Sequence, residues 1–155
     1  MGRWRHITLA LRLAPGLLRD ARRRARLAEM RAFCRALPAA LNGPWAEALP
    51  RLEPGQPVGE LDESTVRDLA DLAALLERRS PLGLCLRRSL TRYHFLRRAG
   101  VPVVVRFGAR LAGPPAERAV HGHAWVTLHG RPYFEDAAHW RGFAVMLSYP
   151  AEMPR

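Results

Sequence analysis

Several residue types are scarce or missing from this 155-residue chain. It has no lysine, two cysteines, one asparagine and one glutamine. Two cysteines are too few for a disulfide framework, which excludes the small disulfide-rich secreted folds. No run of 18 apolar residues occurs, which excludes a transmembrane helix. With 48% apolar and 25% charged residues, the composition excludes a wholly disordered chain, collagen or a coiled coil and fits one globular domain.

The positive charge is large and unevenly distributed. The net charge is +11, and arginine supplies all of the lysine-plus-arginine total. Residues 1–37 hold ten arginines and two acidic residues, whereas residues 47–77 hold eight acidic residues and two arginines. These blocks could attract each other within the fold, or the basic block could dock on an acidic partner or a membrane surface. The N-terminus only weakly imitates a signal peptide and has no clean cleavage site, so we expect a mature cytoplasmic protein.

The pattern of apolar residues predicts helices first and strands second. Helical spacing predicts helices over residues 16–36, 65–78 and 84–98. Pro38, Ser64 and Gly100 are the expected stop, N-cap and C-cap of these helices, in that order. Apolar or alternating runs predict strands over residues 101–107, 121–128 and 131–135, with a turn at His129-Gly130. Residues 42–59 are rich in proline and glycine and predict a loop, and the overall class is α+β.

Three residue types that together support nucleophilic catalysis occur in order along the chain. Cys85 follows a Pro-Leu-Gly break and opens a predicted helix, where free N–H groups favour the thiolate form of a cysteine. His123 lies on a predicted strand, and Glu135 and Asp136 come at the end of the next one. Such a set can supply a nucleophile, a general base and a carboxylate that orients the base. Because side-chain amides are nearly absent, the Cys85 backbone N–H is the candidate oxyanion donor.

Two hairpin registers pair His123 with different carboxylates. A two-residue turn pairs residue 128 with 131, and therefore His123 with Asp136. A three-residue turn pairs residue 127 with 131, and therefore His123 with Glu135. The second register keeps the apolar side chains of the partner strand on one face of the hairpin. We therefore favour Glu135 and keep Asp136 as the alternative.

Four short segments around these residues form a combined pattern. They are Cys85-Leu86-Arg87-Arg88-Ser89-Leu90, Leu96-Arg97-Arg98-Ala99-Gly100-Val101-Pro102, Gly122-His123-Ala124-Trp125-Val126 and His129-Gly130-Arg131-Pro132. Together they resemble the protease half of the lasso-peptide B proteins, which are transglutaminase-like cysteine leader peptidases, over about residues 62–136. The resemblance implies a papain/transglutaminase-like fold, with Cys85 as nucleophile and His123 as base. The family's acidic residue, twelve positions after the histidine, falls on Glu135.

The sequence also departs from the family pattern at two positions. Thr127 stands where members often carry an acidic residue, and His121 is an additional histidine. Neither position belongs to the triad. Both bear on substrate preference.

The resemblance also implies a substrate and partners. Members of the family cleave the leader from a ribosomally made precursor peptide, and a separate ring-forming cyclase then closes the core peptide. Residues 1–60 form a basic helical segment and a proline-rich loop, without the run of strands that a fused leader-binding domain needs. We therefore expect the split form, in which residues 61–155 are the peptidase core and a separate leader-binding protein is required. The mechanism needs no metal and no cofactor.

Other interpretations stay open. Cys85 could be a structural thiol, and Cys34, which has no chemical context, is expected in the core. His121 and His123 could imitate a metal site with Cys85, but no zinc motif supports one. An idle scaffold that only presents the precursor predicts an unreactive Cys85. A basic nucleic-acid-binding protein fits the charge, but no binding motif accompanies it, so we expect no nucleic acid.

Overall fold

A computed structural model describes residues 2–56, 62–114 and 117–151, with side chains described from Thr8 onward. The chain forms two compact units, one reaching up to Val101 and the other beginning at Pro102. The first unit is helical, and the second holds the strands. The domain boundary predicted at residue 60 lies outside the described residues and stays a prediction.

The described residues of the first unit form five helices. They are α1 (Gly2–Arg19), α2 (Ala21–Ala40), α3 (Trp45–Arg51), α4 (Glu63–Leu76) and α5 (Leu84–Arg98). Helix α4 packs against α1, α2 and α5, and its buried side chains include Leu69 and Ala73. The predicted helix over residues 84–98 is confirmed as α5. Gly100 follows its cap in the left-handed region, with φ 85°, and the Val101 N–H donates to the Leu96 carbonyl at 2.9 Å.

The prediction of one helix over residues 16–36 is wrong in its bounds. The Asp20 side chain accepts hydrogen bonds from the Arg22 and Arg23 N–H groups, so a new helix starts there. At the other end α2 runs through Pro38 to Ala40 instead of stopping. A proline removes one donor from the helix, but the ladder resumes beyond it, because the Leu41 N–H donates to the Leu37 carbonyl at 2.9 Å.

Two further expectations in this unit need correction. The predicted loop over residues 42–59 contains α3, which begins directly after Pro44, the residue in the N-cap position. The N-cap of α4 is Asp62, not Ser64, because the Asp62 carboxylate accepts the Thr65 N–H at 2.9 Å. The Ser64 hydroxyl donates to the same carboxylate at 2.6 Å. These hydrogen bonds lower the pKa of Asp62 to about 2.

Ion pairs join the basic and acidic blocks inside this unit. Glu77 at the end of α4 accepts from Arg31 and Arg35 of α2, at 2.7 and 2.9 Å. Arg12 of α1 pairs with Asp68 of α4. Thus part of the basic block pairs with acidic side chains within the fold.

The second unit is a four-stranded antiparallel sheet with one short helix. Its elements are β1 (Val103–Ala112), β2 (Ala119–Leu128), β3 (Arg131–Pro132), α6 (Ala137–Trp140) and β4 (Ala144–Tyr149). The strand order is β3-β2-β1-β4. Valines of β1 and β2, such as Val105 and Val126, are fully buried. With helices first and an antiparallel sheet second, the predicted α+β class is confirmed.

The favoured hairpin register is wrong. Leu128 pairs with Arg131, so the turn has two residues, His129 and Gly130, with φ values of 50° and 76°. Positive φ at both central positions is the geometry of a type I′ turn, whose twist matches the flanking strands. The strand β3 ends at Pro132, so neither register carries the pairing as far as Glu135 or Asp136.

A helix must be long and strongly apolar to span the hydrocarbon core of a bilayer. Among residues 2–56, 62–114 and 117–151, no helix is long and apolar enough to cross a membrane.

Candidate active site

Cys85 occupies the first turn of α5, where the sequence placed it. The helix begins at Leu84. Its N-cap residue is Gly83, so the N-cap residue makes no side-chain hydrogen bond to the described first turn. The first N–H groups of a helix have no acceptor within that helix, so they are suited to an oxyanion. The Cys85 side chain is half-buried. Its Sγ lies 3.9 Å from the point where a Cβ on Gly83 would stand, so the thiol lies beside the N-cap.

A buried arginine anchors the segment that leads into this helix. Arg87 donates to the Leu82 carbonyl in the preceding loop and, through Nη2, to the Ala74 carbonyl of α4 at 3.2 Å. Its own exposure is only 6%. Arg87 therefore fixes the loop before Cys85 to a neighbouring helix. This role of Arg87 could not be predicted from the sequence, since a position inside a helix does not reveal which distant carbonyl an arginine reaches.

Cys34 has a different environment. It is fully buried in α2, and its Sγ lies 3.0 Å from the Thr91 Oγ1. The Thr91 hydroxyl itself donates to the Arg87 carbonyl at 2.8 Å, which leaves Cys34 as the donor to Thr91. Burial raises the pKa of the Cys34 thiol. The prediction that Cys34 is a core residue is confirmed.

His123 lies on β2 in the second unit, directly opposite Gly108 of β1. It is half-buried. Its ring stacks on Trp125, with centroids 5.9 Å apart and planes at 17°. Phe143, just before β4, approaches it at 5.2 Å between centroids. The imidazole thus has aromatic neighbours from two parts of the sheet unit.

The two candidate carboxylates differ in their surroundings. Phe134 has a φ of 50°, so the chain turns between the end of β3 and Glu135. Glu135 is half-buried. Asp136 is exposed and is the N-cap of α6, where its carboxylate accepts the Ala138 N–H at 3.1 Å. Asp136 therefore has a local structural role as the N-cap of α6.

His121 and His123 are the histidines that the sequence put forward as possible metal ligands with Cys85. His121 is exposed and lies two residues from His123 on β2. In the part of the chain that the structure describes, no group of three or more histidine, cysteine or carboxylate side chains is arranged to hold a metal ion.

Comparison with known proteins identifies the family. The sequence profile described as the transglutaminase-like superfamily matches residues 3–148, which is most of the chain. The chain therefore belongs to the transglutaminase-like superfamily. Membership agrees with the predicted fold class and with a scaffold like that of cysteine proteases. Neither a curated protein nor a solved structure matches the chain.

Proposed function

We propose that this protein is a cysteine peptidase in which Cys85 is the nucleophile and His123 the general base. The observation that carries the proposal is the position of Cys85 in a chain of this superfamily: a half-buried thiol in the first turn of a helix. The other cysteine, Cys34, is fully buried in the core and hydrogen-bonded to Thr91. Reactive cysteines are accessible and lie in electropositive surroundings, whereas buried structural ones are inert.

The reaction follows the chemistry of a cysteine and histidine pair. His123 takes the proton of the Cys85 thiol, and the sulfur attacks the scissile carbonyl carbon. The Cys85 N–H at the start of α5 supports the negative charge that develops on the carbonyl oxygen. His123 returns the proton to the leaving amine, and the C–N bond breaks to leave a thioester on Cys85. A water molecule, deprotonated by His123, then hydrolyses the thioester and regenerates the thiol.

For the residue that orients His123 we propose Glu135, with Asp136 as the alternative. A carboxylate in this role holds the imidazole in the right tautomer and orientation. Asp136 already caps α6, and its exposure weakens any electrostatic effect on the base. The half-buried Glu135 is the better candidate. The resemblance to the lasso-peptide B proteins also supports it, because the acidic residue of that family stands twelve positions after the histidine.

The proposed substrate is the leader region of a ribosomally made lasso-peptide precursor. The support is the combined motif from Cys85 to Pro132, which resembles the protease half of lasso-peptide B proteins. We propose that the protein acts in the cytoplasm with a separate leader-binding protein and that a cyclase closes the released core peptide. The exposed arginines of α1 and α2, such as Arg19 and Arg22, are the candidate docking residues.

Mass spectrometry of a candidate precursor tests this proposal. The precursor is incubated with the protein, with and without the leader-binding partner, in wild-type, Cys85→Ala and Cys34→Ala forms. We expect leader release by wild type and by Cys34→Ala, and none by a folded Cys85→Ala variant. Cleavage by folded Cys85→Ala would overturn the mechanism. An intact precursor in every mixture, together with an unreactive Cys85, would favour an idle scaffold that only presents the peptide.

A further inference from the structure

The His123 imidazole lies against two aromatic rings of its own unit. Trp125 follows two residues later on the same strand, so its side chain lies on the same face of β2. Phe143 reaches His123 from the loop between α6 and β4. The centroid distances, 5.9 and 5.2 Å, are within the range of favourable aromatic contacts. Two rings from separate segments therefore restrict the plane of the imidazole.

The arrangement depends on the absence of a side chain at Gly108. Gly108 lies on β1 opposite His123 and is also paired with Val145 of β4. A Cβ at this position would stand 2.8 Å from Cη2 of Trp125. The indole of Trp125 therefore packs over Gly108, on the same face of the sheet as His123.

The ring of Phe143 is itself held in place by a contact with Arg110. The guanidinium carbon of Arg110 lies 4.5 Å from the centroid of the Phe143 ring, in cation–π geometry. Ala109 of β1 pairs with Ala144 of β4, and Arg110 and Phe143 are the next residues along the chain, Arg110 on β1 and Phe143 just before β4. The arginine thus covers the phenylalanine from the strand beside it. The sheet itself sets the position of the ring that contacts His123.

We propose that Phe143, held by Arg110, is a positioning residue that orients the His123 imidazole against Trp125. The inference rests on the proposed function, because it assigns a purpose to the orientation of the general base. A base must hold its nitrogen within hydrogen-bond reach of the proton that it transfers. Misplacement by about 1 Å costs on the order of a hundredfold in rate. In this role Phe143 acts through its contact with His123.

The experiment compares three full-length variants with wild type. Phe143→Leu removes the ring, Phe143→Tyr keeps it, and Trp140→Leu removes a ring beside another arginine, Arg141, in the same unit. We expect Phe143→Leu to lower kcat by about ten- to a hundredfold with little change in KM. Phe143→Tyr should stay within about threefold of wild type, and Trp140→Leu should match wild type.

A spectroscopic measurement on the same proteins separates orientation from folding. NOEs between the ring protons of His123 and Trp125 report how the imidazole lies against the indole, and they do not depend on the ring current of Phe143. We expect these NOEs to change in Phe143→Leu and to stay as in wild type in Trp140→Leu, while the backbone spectrum remains that of a folded protein. A folded Phe143→Leu variant with wild-type kcat would overturn the inference.

The two proposals can fail separately. If wild type and every variant leave the precursor intact while Cys85 is unreactive, the proposed peptidase function fails. The NOEs between His123 and Trp125 still report whether Phe143 orients the imidazole, because that measurement needs no substrate. NOEs that do not change in Phe143→Leu would overturn the inference whatever the activity.

Discussion

Replacement of Gly108 by alanine tests the packing of the sheet around His123. Gly108 is buried on β1 between β2 and β4. A methyl group here would stand 2.8 and 2.9 Å from Cη2 and Cζ3 of Trp125, and 2.9 Å from the Ala144 carbonyl oxygen. Carbon atoms in favourable contact are about 3.5–4.0 Å apart. Both the indole and the backbone of β4 must therefore move.

The expected cost follows from these contacts. Inserting a methyl group into a packed core costs about 1–3 kcal/mol. Alanine has less conformational freedom than glycine in the unfolded chain, and this stabilises the folded variant by about 0.4–1 kcal/mol. Because the contacts are below 3.0 Å and one involves the β4 backbone, the cost falls in the upper part of its range, about 2–3 kcal/mol, and the net loss in free energy of unfolding is roughly 1–2.6 kcal/mol for Gly108→Ala. For a chain of this size, this corresponds to a fall of roughly 2–10 °C in Tm.

Gly122→Ala is the matched control. Gly122 lies on β2, and a Cβ there would meet no heavy atom within 4 Å. Alanine at such a strand position should stabilise by about 0.5 kcal/mol, because glycine loses more conformational freedom on folding. Thermal unfolding of both variants measures the difference. The reasoning is refuted if Gly108→Ala melts at or above wild type, or if the two variants shift Tm in the same direction by the same amount.

Three further predictions concern the helical unit. Asp71→Ala should lower the free energy of unfolding by about 3 kcal/mol, because it removes a carboxylate bonded at 2.6 Å to the buried Arg92; a loss below about 1 kcal/mol in urea unfolding would contradict this. Asp62→Ala should cost about 1 kcal/mol above pH 4, and the difference from wild type should vanish as the pH falls towards 2, the folded-state pKa of Asp62. Burial lowers the pKa of His94, so wild-type stability should fall as the pH drops below 6.5, and His94→Gln should fall less steeply; parallel stability curves between pH 5 and 8 would count against this role.

Local signals predicted the helix that carries Cys85. The Pro81-Leu82-Gly83 break and Gly100 delimit α5, because a glycine can adopt the left-handed conformation that ends a helix. Local signals were misleading where a neighbouring residue made a better N-cap. Ser64 is an acceptable N-cap, but the Asp62 carboxylate takes the Thr65 N–H and so decides where α4 begins.

The sheet was harder to predict because its pairings are not local. The apolar pattern predicted no strand beyond residue 135, yet β4 lies beside β1, more than thirty residues earlier in the chain. The register prediction failed because His129 adopts a positive φ, which is uncommon for a residue other than glycine. A two-residue turn then becomes possible, and pattern alone does not reveal it.

The candidate site was predictable only in part. Residue type and order singled out Cys85 and His123, and the structure places them at a helix start and on a strand, as expected. The supporting residues gave no such signal. Arg87 and Phe143 act through contacts with a carbonyl and a ring that are distant in the chain, so only the fold reveals them.

Selective alkylation of the two thiols tests the central claim most directly. Iodoacetamide is added to the native protein at neutral pH, and peptide mapping by mass spectrometry follows Cys85, with the buried Cys34 as internal reference. The account predicts that Cys85 reacts first and that His123→Ala slows its reaction while Cys34 stays protected. A Cys85 as unreactive as Cys34, or one whose rate is the same in folded His123→Ala, would contradict the assignment of Cys85 and His123 as nucleophile and base.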